Sequence, residues 1–408
     1  MDSLKGNALI GQSGGPTSVI NSSLAGVIET ALSSSFIKDI YGMHCGIEGF
    51  MQEWLYDLGK QPRKIIEGLR HTPSSALGSS RHKVQGNELP VILNLLKKYN
   101  IRYLFLIGGN DTMDTIHRIE TYCRNEQYEL TGIGIPKTVD NDLFGTDHTP
   151  GFASAARSNI LNVMQAGILA RDMQRVDKFV IYQTIGRDAG WLAAATALAR
   201  KSEEDAPHLI YAPEFHFDRE NYLKDVEKCI KNYGWVSVVC GEGLKYSDGT
   251  PVSSATQKDK FNNVEFGAMG GSGVAFNLHR MITGEFGYRG EFQITESLIM
   301  SDFVRSSPVD LDEAYRCGIE AVKLAEKGES GVMVSIKRTS NNPYTIEFGK
   351  VPLQQVAVSA KPMPAEYFNT EGNHVSSKFI DYIKPLAGDL PEFVQLEKIF
   401  AVRRTGSK

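Results

Sequence analysis

The chain has 408 residues, 41% hydrophobic and 23% charged, with a formal net charge of −4. That length exceeds one ordinary core, so two domains are expected. The weakly acidic balance argues against broad nucleic-acid or anionic-membrane binding, which need a basic footprint, but leaves room for a local basic pocket. Cys45, Cys123, Cys229, Cys240 and Cys317 are scattered, with no CxxC or Cys/His spacing. A zinc site and a disulfide framework are therefore not expected. The polar start lacks a signal-type apolar core, and no apolar run is long enough to span a bilayer, so a cytoplasmic location is expected.

In chain order, Ala8-Leu9-Ile10 reads as a short buried strand. It runs into Gly11-Gln12-Ser13-Gly14-Gly15-Pro16-Thr17 and then a helix from about Ser18 to Leu32. A glycine turn between strand and helix lets backbone N–H groups approach an anion, helped by the partial positive charge of the helix N-terminus. A tight turn without ligand fits the local sequence equally well. The spacing is neither GxGxxG nor the Walker pattern. Asp39 to Met43 is a second strand, and Gly78-Ser79-Ser80-Arg81-His82-Lys83 is a basic, hydroxylated segment suited to phosphate or to solvent.

Glu88 to Tyr99 has helical apolar spacing. Tyr103 to Ile107 is a buried strand ending in Gly108-Gly109-Asn110-Asp111-Thr112, followed by a helix to about Cys123. Thr131 to Ile135 is the next strand, and Pro136 ends its ladder because proline has no N–H. Directly behind it, Lys137 to Asp142 gather an ammonium, a hydroxyl and two carboxylates. Several such turns at the carboxyl edge of one parallel sheet form one cleft.

A helix from about His148 to Asp172 and a strand from Lys178 to Gln183 lead to another glycine turn, Thr184 to Trp191, and an alanine-rich helix to Arg200. Strand His208 to Ala212, helix Arg219 to Tyr233 and strand Trp235 to Cys240, ending in Gly241-Glu242-Gly243, complete a second parallel unit. Lys245 to Lys260 reads as a loop, and Gly267 to Gly273 begins a helix to about Ile282. Asp310 to Lys327 is a helix with Asp310 as N-cap and Glu313 closing a capping box. Val332 to Ile336 and Tyr344 to Phe348 form a hairpin, and beyond Val351 a loop-rich tail is expected, with a helix near Ser377 to Ile383.

Four motifs occur in order: Ser13-Gly14-Gly15, Gly108-Gly109-Asn110-Asp111-Thr112, Pro136-Lys137-Thr138-Val139-Asp140-Asn141-Asp142 and Ile185-Gly186-Arg187. With Gly145-Thr146-Asp147 and Gly151-Phe152 they make the chain resemble the phosphofructokinase family over roughly residues 7 to 330. The resemblance implies an α/β fold of two parallel-sheet βα domains with the active-site cleft between them, plus a C-terminal extension. The expected division is a donor domain of residues 1–140 with about 250–305, a sugar-phosphate domain of 141–249 with about 306–330, and an extension of 331–408.

Family members using ATP carry glycine at the positions of Asp111 and Lys137, whereas members using pyrophosphate carry aspartate and lysine. The resemblance therefore implies transfer from pyrophosphate to the 1-hydroxyl of fructose 6-phosphate. Asp111 would repel an adenosine α-phosphate by bulk and charge, and Lys137 would stabilise the transferring phosphoryl group. Carried over by motif, Asp140 is the base, Thr138 and Val139 line the acceptor, and Asp142 holds the cluster with its waters or metal. Gly14, Gly15, Arg81 and Gly109 line the donor site. Ile185, Gly186, Arg187 and Glu242 hold the sugar phosphate. Lys178 and Arg289 fall where the family reaches a neighbouring subunit's 6-phosphate, which implies a homodimer or homotetramer with shared sites, and Tyr288 is counted with the substrate-binding residues.

Three departures qualify the match. Asn110 stands where an aspartate contacts Mg²⁺, and an amide oxygen binds that ion more weakly. Ser297-Leu298-Ile299-Met300 lacks the usual Gln-Arg pair, for which Arg305 is the substitute in a shifted register. Ile185 replaces methionine at similar volume. A catalytically weak regulatory subunit, a pyrophosphate-dependent kinase of sedoheptulose 7-phosphate and an ATP-using relative are the alternatives.

Overall fold

Alternating strands and helices build two sheets in the computed structural model, which describes residues 4–253, 273–397 and 399. The first half runs β1 (Gly6–Gln12), α1 (Ile20–Leu32), β2 (Ile37–Met43), α2 (Gly46–Met51), β3 (Leu55–Asp57), α3 (Arg63–Leu69), α4 (Leu89–Lys98), β4 (Ile101–Gly108), α5 (Asn110–Asn125) and β5 (Thr131–Pro136). The second half runs α6 (Phe152–Asp172), β6 (Phe179–Thr184), α7 (Trp191–Ala195), β7 (Leu209–Tyr211), α8 (Arg219–Tyr233), β8 (Val236–Gly241), α9 (Val274–Phe286) and β9 (Gly290–Ile294). It is followed by α10 (Pro308–Glu326), β10 (Val332–Asn341), β11 (Tyr344–Pro352), α11 (Leu353–Val358) and α12 (Ser377–Ala387). Residues 254–260 of the expected Lys245 to Lys260 loop and the Gly267 start of the next helix lie outside the described residues.

The larger sheet has seven strands in the order β11-β10-β5-β4-β1-β2-β3, and the smaller has four in the order β7-β8-β6-β9. The smaller sheet and the middle of the larger are parallel, and β11 and β3 close the larger sheet's edges antiparallel. Parallel strands covered on both faces read as near-continuous apolar runs. β1, β6 and β8 are accordingly buried at every residue.

The expected domain boundaries need correction. β9, assigned to the donor half, pairs with β6 in the smaller sheet, Phe179 opposite Gly290. α10, assigned to the sugar half, packs on α1, because its Cys317, Ala321, Val322 and Ala325 complete the larger sheet's core. The two helices cross closely through glycines: a Cβ on Gly26 would lie 2.1 Å from Tyr315 O, and one on Gly318 2.2 Å from Ser23 O. The C-terminal residues are also no appendage. β10 continues the larger sheet beside β5, while Phe379, Tyr382 and Ile383 of α12 enter the smaller domain's core with Phe152 and Trp191.

The start of α10 differs too. Pro308 sits in its first turn and moves the boundary forward, so Ser307 is the N-cap and accepts from Asp310 N. Asp310 instead accepts from the Gly151 and Ser154 N–H groups, each at 2.9 Å, at the start of α6. Glu313 is engaged by His148 Nε2 and Tyr344 Oη, each at 2.6 Å.

Candidate active site

A cleft of about 420 Å³ opens at the carboxyl ends of the strands of both sheets. From the larger sheet, Gly14 and Gly15 follow β1, Gly109 to Asp111 follow β4, and Lys137 to Asp142 follow β5. From the smaller, Ile185 to Arg187 follow β6 and Glu242 follows β8. This is where open α/β sheets leave room for ligands.

Lys137 is buried, and its Nζ donates to Gly15 O at 2.6 Å. Its backbone N–H donates to Gly108 O at 3.1 Å, which joins the second and third turns. The first turn is tied to the basic segment by Gly14 N to Ser80 O at 3.0 Å and Ser79 Oγ to Gly14 O at 2.5 Å. Gly14 has φ +77, and a Cβ there would sit 3.2 Å from the Lys137 ammonium. Arg81 lines the cleft beside them, and Lys83 Nζ lies 3.2 Å from Asp111 Oδ1. Burial pushes the Lys137 pKa down to about 8; Arg81 adds to the shift, while Asp140 and Asp142 oppose it.

Asp140 and Asp142 flank Asn141, whose φ is +57. Asp140 N donates to Thr138 Oγ1 at 3.1 Å, which fixes the turn. Burial raises the Asp140 pKa above the usual carboxylate range, Asp142 and Glu242 add to the shift, and Arg187 and Lys137 oppose it. Asp142 is likewise raised, chiefly by burial. A desolvated carboxylate poised near neutrality is suited to take a proton. Across the cleft, Arg187 has φ +51, and its turn is held by Glu242 Oε1, which accepts from the N–H groups of Gly186 at 3.1 Å and Arg187 at 3.0 Å. Backbone in this region is costly for a side-chain-bearing residue and persists where surroundings over-determine it.

Asn110 Oδ1 is buried and lacks a hydrogen-bond partner. Such an orphaned oxygen in a polar cleft fits a cation or its water shell. No group of three His, Cys, Asp or Glu side chains among the described residues could hold a metal.

The phosphofructokinase family matches residues 7–325. The chain belongs to the phosphofructokinase family. It is 36% identical over 396 residues to a pyrophosphate–fructose 6-phosphate 1-phosphotransferase of Halomonas elongata, covering 95% of this chain and 93% of the relative. It is 34% identical to a sulfofructose kinase of Alkalicoccus urumqiensis, covering 85% of this chain and 88% of the relative. The pyrophosphate-dependent phosphofructokinase of Marinobacter aquaeolei superposes with a TM-score of 0.85 at 33% identity, over 96% of this chain and 94% of that one.

Three site residues expected from the phosphofructokinase resemblance lie outside this cleft. Lys178 and Arg289 precede the amino ends of β6 and β9 and are joined by Lys178 N to Arg289 O at 2.7 Å. Tyr288 stacks on Phe286 beside them. At ~3.3 Å per strand residue, Lys178 sits about 23 Å from Ile185, the full height of the sheet. Arg305 does not fill the place of the missing Gln-Arg pair either: it bonds Asn162 and lies 3.7 Å from Asp302. Ser297 and Met300 line the cleft instead, and a Cβ on Gly15 would meet Met300 Cε at 2.5 Å.

The structure adds His82, Lys83 and Glu296 to the cleft lining. His82 Nε2 is 2.8 Å from Glu88. The basic run was visible in sequence, but nothing local marked Lys83 as the partner of Asp111. Lys361 was also missed. Its Nζ reaches Asn141 Oδ1, Thr146 O and Asp147 O from the tail, and no motif marks it.

Proposed function

We propose that this chain transfers a phosphoryl group from pyrophosphate to the 1-hydroxyl of fructose 6-phosphate, giving fructose 1,6-bisphosphate and phosphate, reversibly. One observation carries the reading: the Lys137 ammonium is buried against the Gly14-Gly15 turn while Asp140, three residues on, lines the same cleft. Asp140 takes the hydroxyl proton, the sugar O1 bonds to the terminal phosphorus, and the bridging P–O bond breaks to release phosphate. Lys137 and Arg187 offset the charge on the oxygens of the moving group. Gly14, Gly15, Arg81 and Gly109 cradle the donor. Asp111, ion-paired with Lys83 at the start of α5, leaves no anionic room for a nucleoside α-phosphate.

Thr138, Val139, Ile185 and Gly186 line the acceptor. Glu242 supports the Arg187 turn with one oxygen, so its sugar contact falls to the other. Mg²⁺ is the proposed cation, held at Asn110 Oδ1; when bound, it neutralises pyrophosphate oxygens. Lys178, Tyr288 and Arg289 would serve the 6-phosphate only in a neighbouring copy, in a homodimer or homotetramer with shared sites. No helix among the described residues is long and apolar enough to cross a membrane, and a cytoplasmic setting suits these metabolites.

The lack of a cation at Ser297 to Met300 favours testing a second acceptor bearing a less charged terminal anion, the sulfonate of sulfofructose. Initial rates with Mg²⁺ should be compared for pyrophosphate and ATP, each with fructose 6-phosphate, sedoheptulose 7-phosphate and sulfofructose. Pyrophosphate with fructose 6-phosphate is expected to be fastest. Equal or better use of ATP would overturn the donor assignment, and a faster sulfonate acceptor would replace fructose 6-phosphate.

A further inference from the structure

The family match ends at residue 325, yet the residues beyond it touch the catalytic turn. Asn141, between the two aspartates, is fully buried in left-handed backbone. Its side-chain oxygen accepts from Lys361 Nζ at 3.2 Å, and its side-chain nitrogen donates to Tyr382 Oη at 3.1 Å. Lys361 Nζ also donates to Thr146 O at 3.1 Å and Asp147 O at 2.7 Å. The Lys361 N–H donates to Asp142 O at 2.7 Å, and Tyr382 Oη donates to Asp147 O at 2.9 Å. Leu143 and Ala360 form an antiparallel bridge in the same seam. Behind it, the ammonium lies 4.9 Å from the Trp191 ring, which packs against Tyr382 at 5.5 Å.

Asparagine is among the few side-chain-bearing residues that enter left-handed backbone, usually with its amide bonded locally. Here both ends of its amide are bonded by the C-terminal segment. We propose that Lys361 and Tyr382 are positioning residues: they clamp Asn141 so that Asp140 and Asp142 project into the cleft. The C-terminal segment is thus part of the catalytic apparatus and not a stabilising cover. This rests on the phosphoryl-transfer reading for its effect on rate, but not for its effect on the turn.

The test combines kinetics with hydrogen exchange. Lys361→Met should lower kcat about 100-fold, since a misplaced reacting group costs rate at that scale, while KM for pyrophosphate and acceptor stays within about twofold. Tyr382→Phe keeps the ring and its packing, and should lower kcat about tenfold, since the hydroxyl's bonds to Asn141 and Asp147 are both lost. Lys361→Arg, which keeps the charge, should recover part of the loss. In both loss variants, amides of residues 139–148 should exchange faster without ligand, while those of β6 and β8 stay protected. Unchanged exchange in 139–148, or a raised KM with kcat intact, would overturn the clamp. If Lys361→Met does not fold, Tyr382→Phe decides alone by the same criteria. A wild-type protein without turnover would instead count against the proposed reaction and leave the exchange result to judge the clamp.

Discussion

The donor and acceptor ends of the cleft are built differently. The donor end is local: three strand–turn–helix units of one sheet bring Gly14, Gly15, Gly109, Asp111 and Lys137 together with Arg81 and Lys83. The acceptor end sets Arg187 among Glu242, Glu296, Ser297 and Met300, and its expected phosphate contacts, Lys178 and Arg289, stand at the far end of the sheet. On the proposed reading the pyrophosphate site is completed within one chain, whereas Lys178 and Arg289 would reach a sugar 6-phosphate only in a second copy. The shared middle, Lys137 to Asp142, belongs to the larger sheet but faces both ends.

The largest expected effect is at that middle. Asp140→Ala should lower kcat by about 10² to 10⁴, the range for a lost general base. KM should change little, because the base acts in the transition state. A comparable rise in KM with kcat intact would move Asp140 to simple binding. Next is the donor end. Lys137→Met should cost about 10² to 10³ in kcat, as for one lost electrostatic stabiliser. The Lys137 pKa is lowered to about 8, so kcat/KM for pyrophosphate should fall as pH rises through that value and the ammonium is lost. That alkaline limb should be missing in Lys137→Met.

The acceptor end gives a smaller effect that separates one copy from two. Arg289→Ala should raise the acceptor KM about tenfold, the scale of one lost charge-assisted bond, and leave the pyrophosphate KM unchanged. Mixing Arg289→Ala chains with Asp140→Ala chains should restore activity, since some sites then receive Asp140 and Arg289 from different copies. No recovery on mixing would place the acceptor phosphate within one chain.

The smallest effect concerns the support under the turn. Buried His148 lies 2.7 Å from Asp147 and 2.6 Å from Glu313. Burial alone would lower its pKa, but the charges and hydrogen bonds of those carboxylates outweigh it and raise it. A raised folded pKa gives stability that is fully present below the unfolded value of about 6.5 and lost as pH rises through the folded one. Thermal unfolding should therefore show a lower Tm on the alkaline side of that value, and His148→Gln should flatten the dependence.

The same contrast explains what the sequence made legible. Glycine turns after apolar runs marked β1, β4 and β6, and Pro136 with its polar cluster marked β5, together with the residues at their tips, because such signals are local. The placing of β9 and α10 was not readable, since both follow a crossing segment and either sheet could bury their apolar faces. Asp310 resembled an N-cap by spacing, yet Pro308 allowed the helix to begin earlier and freed that carboxylate for α6. Lys361 carried no signal at all: its role comes from three oxygens more than two hundred residues away in the chain.

On the proposed function, one cleft joins a pyrophosphate donor to a sugar hydroxyl. Phosphorus NMR of the purified chain with Mg²⁺, pyrophosphate and fructose 6-phosphate tests it most directly. Each pyrophosphate lost is expected to yield one orthophosphate and one new phosphate ester at sugar C1. Two orthophosphates per pyrophosphate, with no new ester, would show hydrolysis and contradict it.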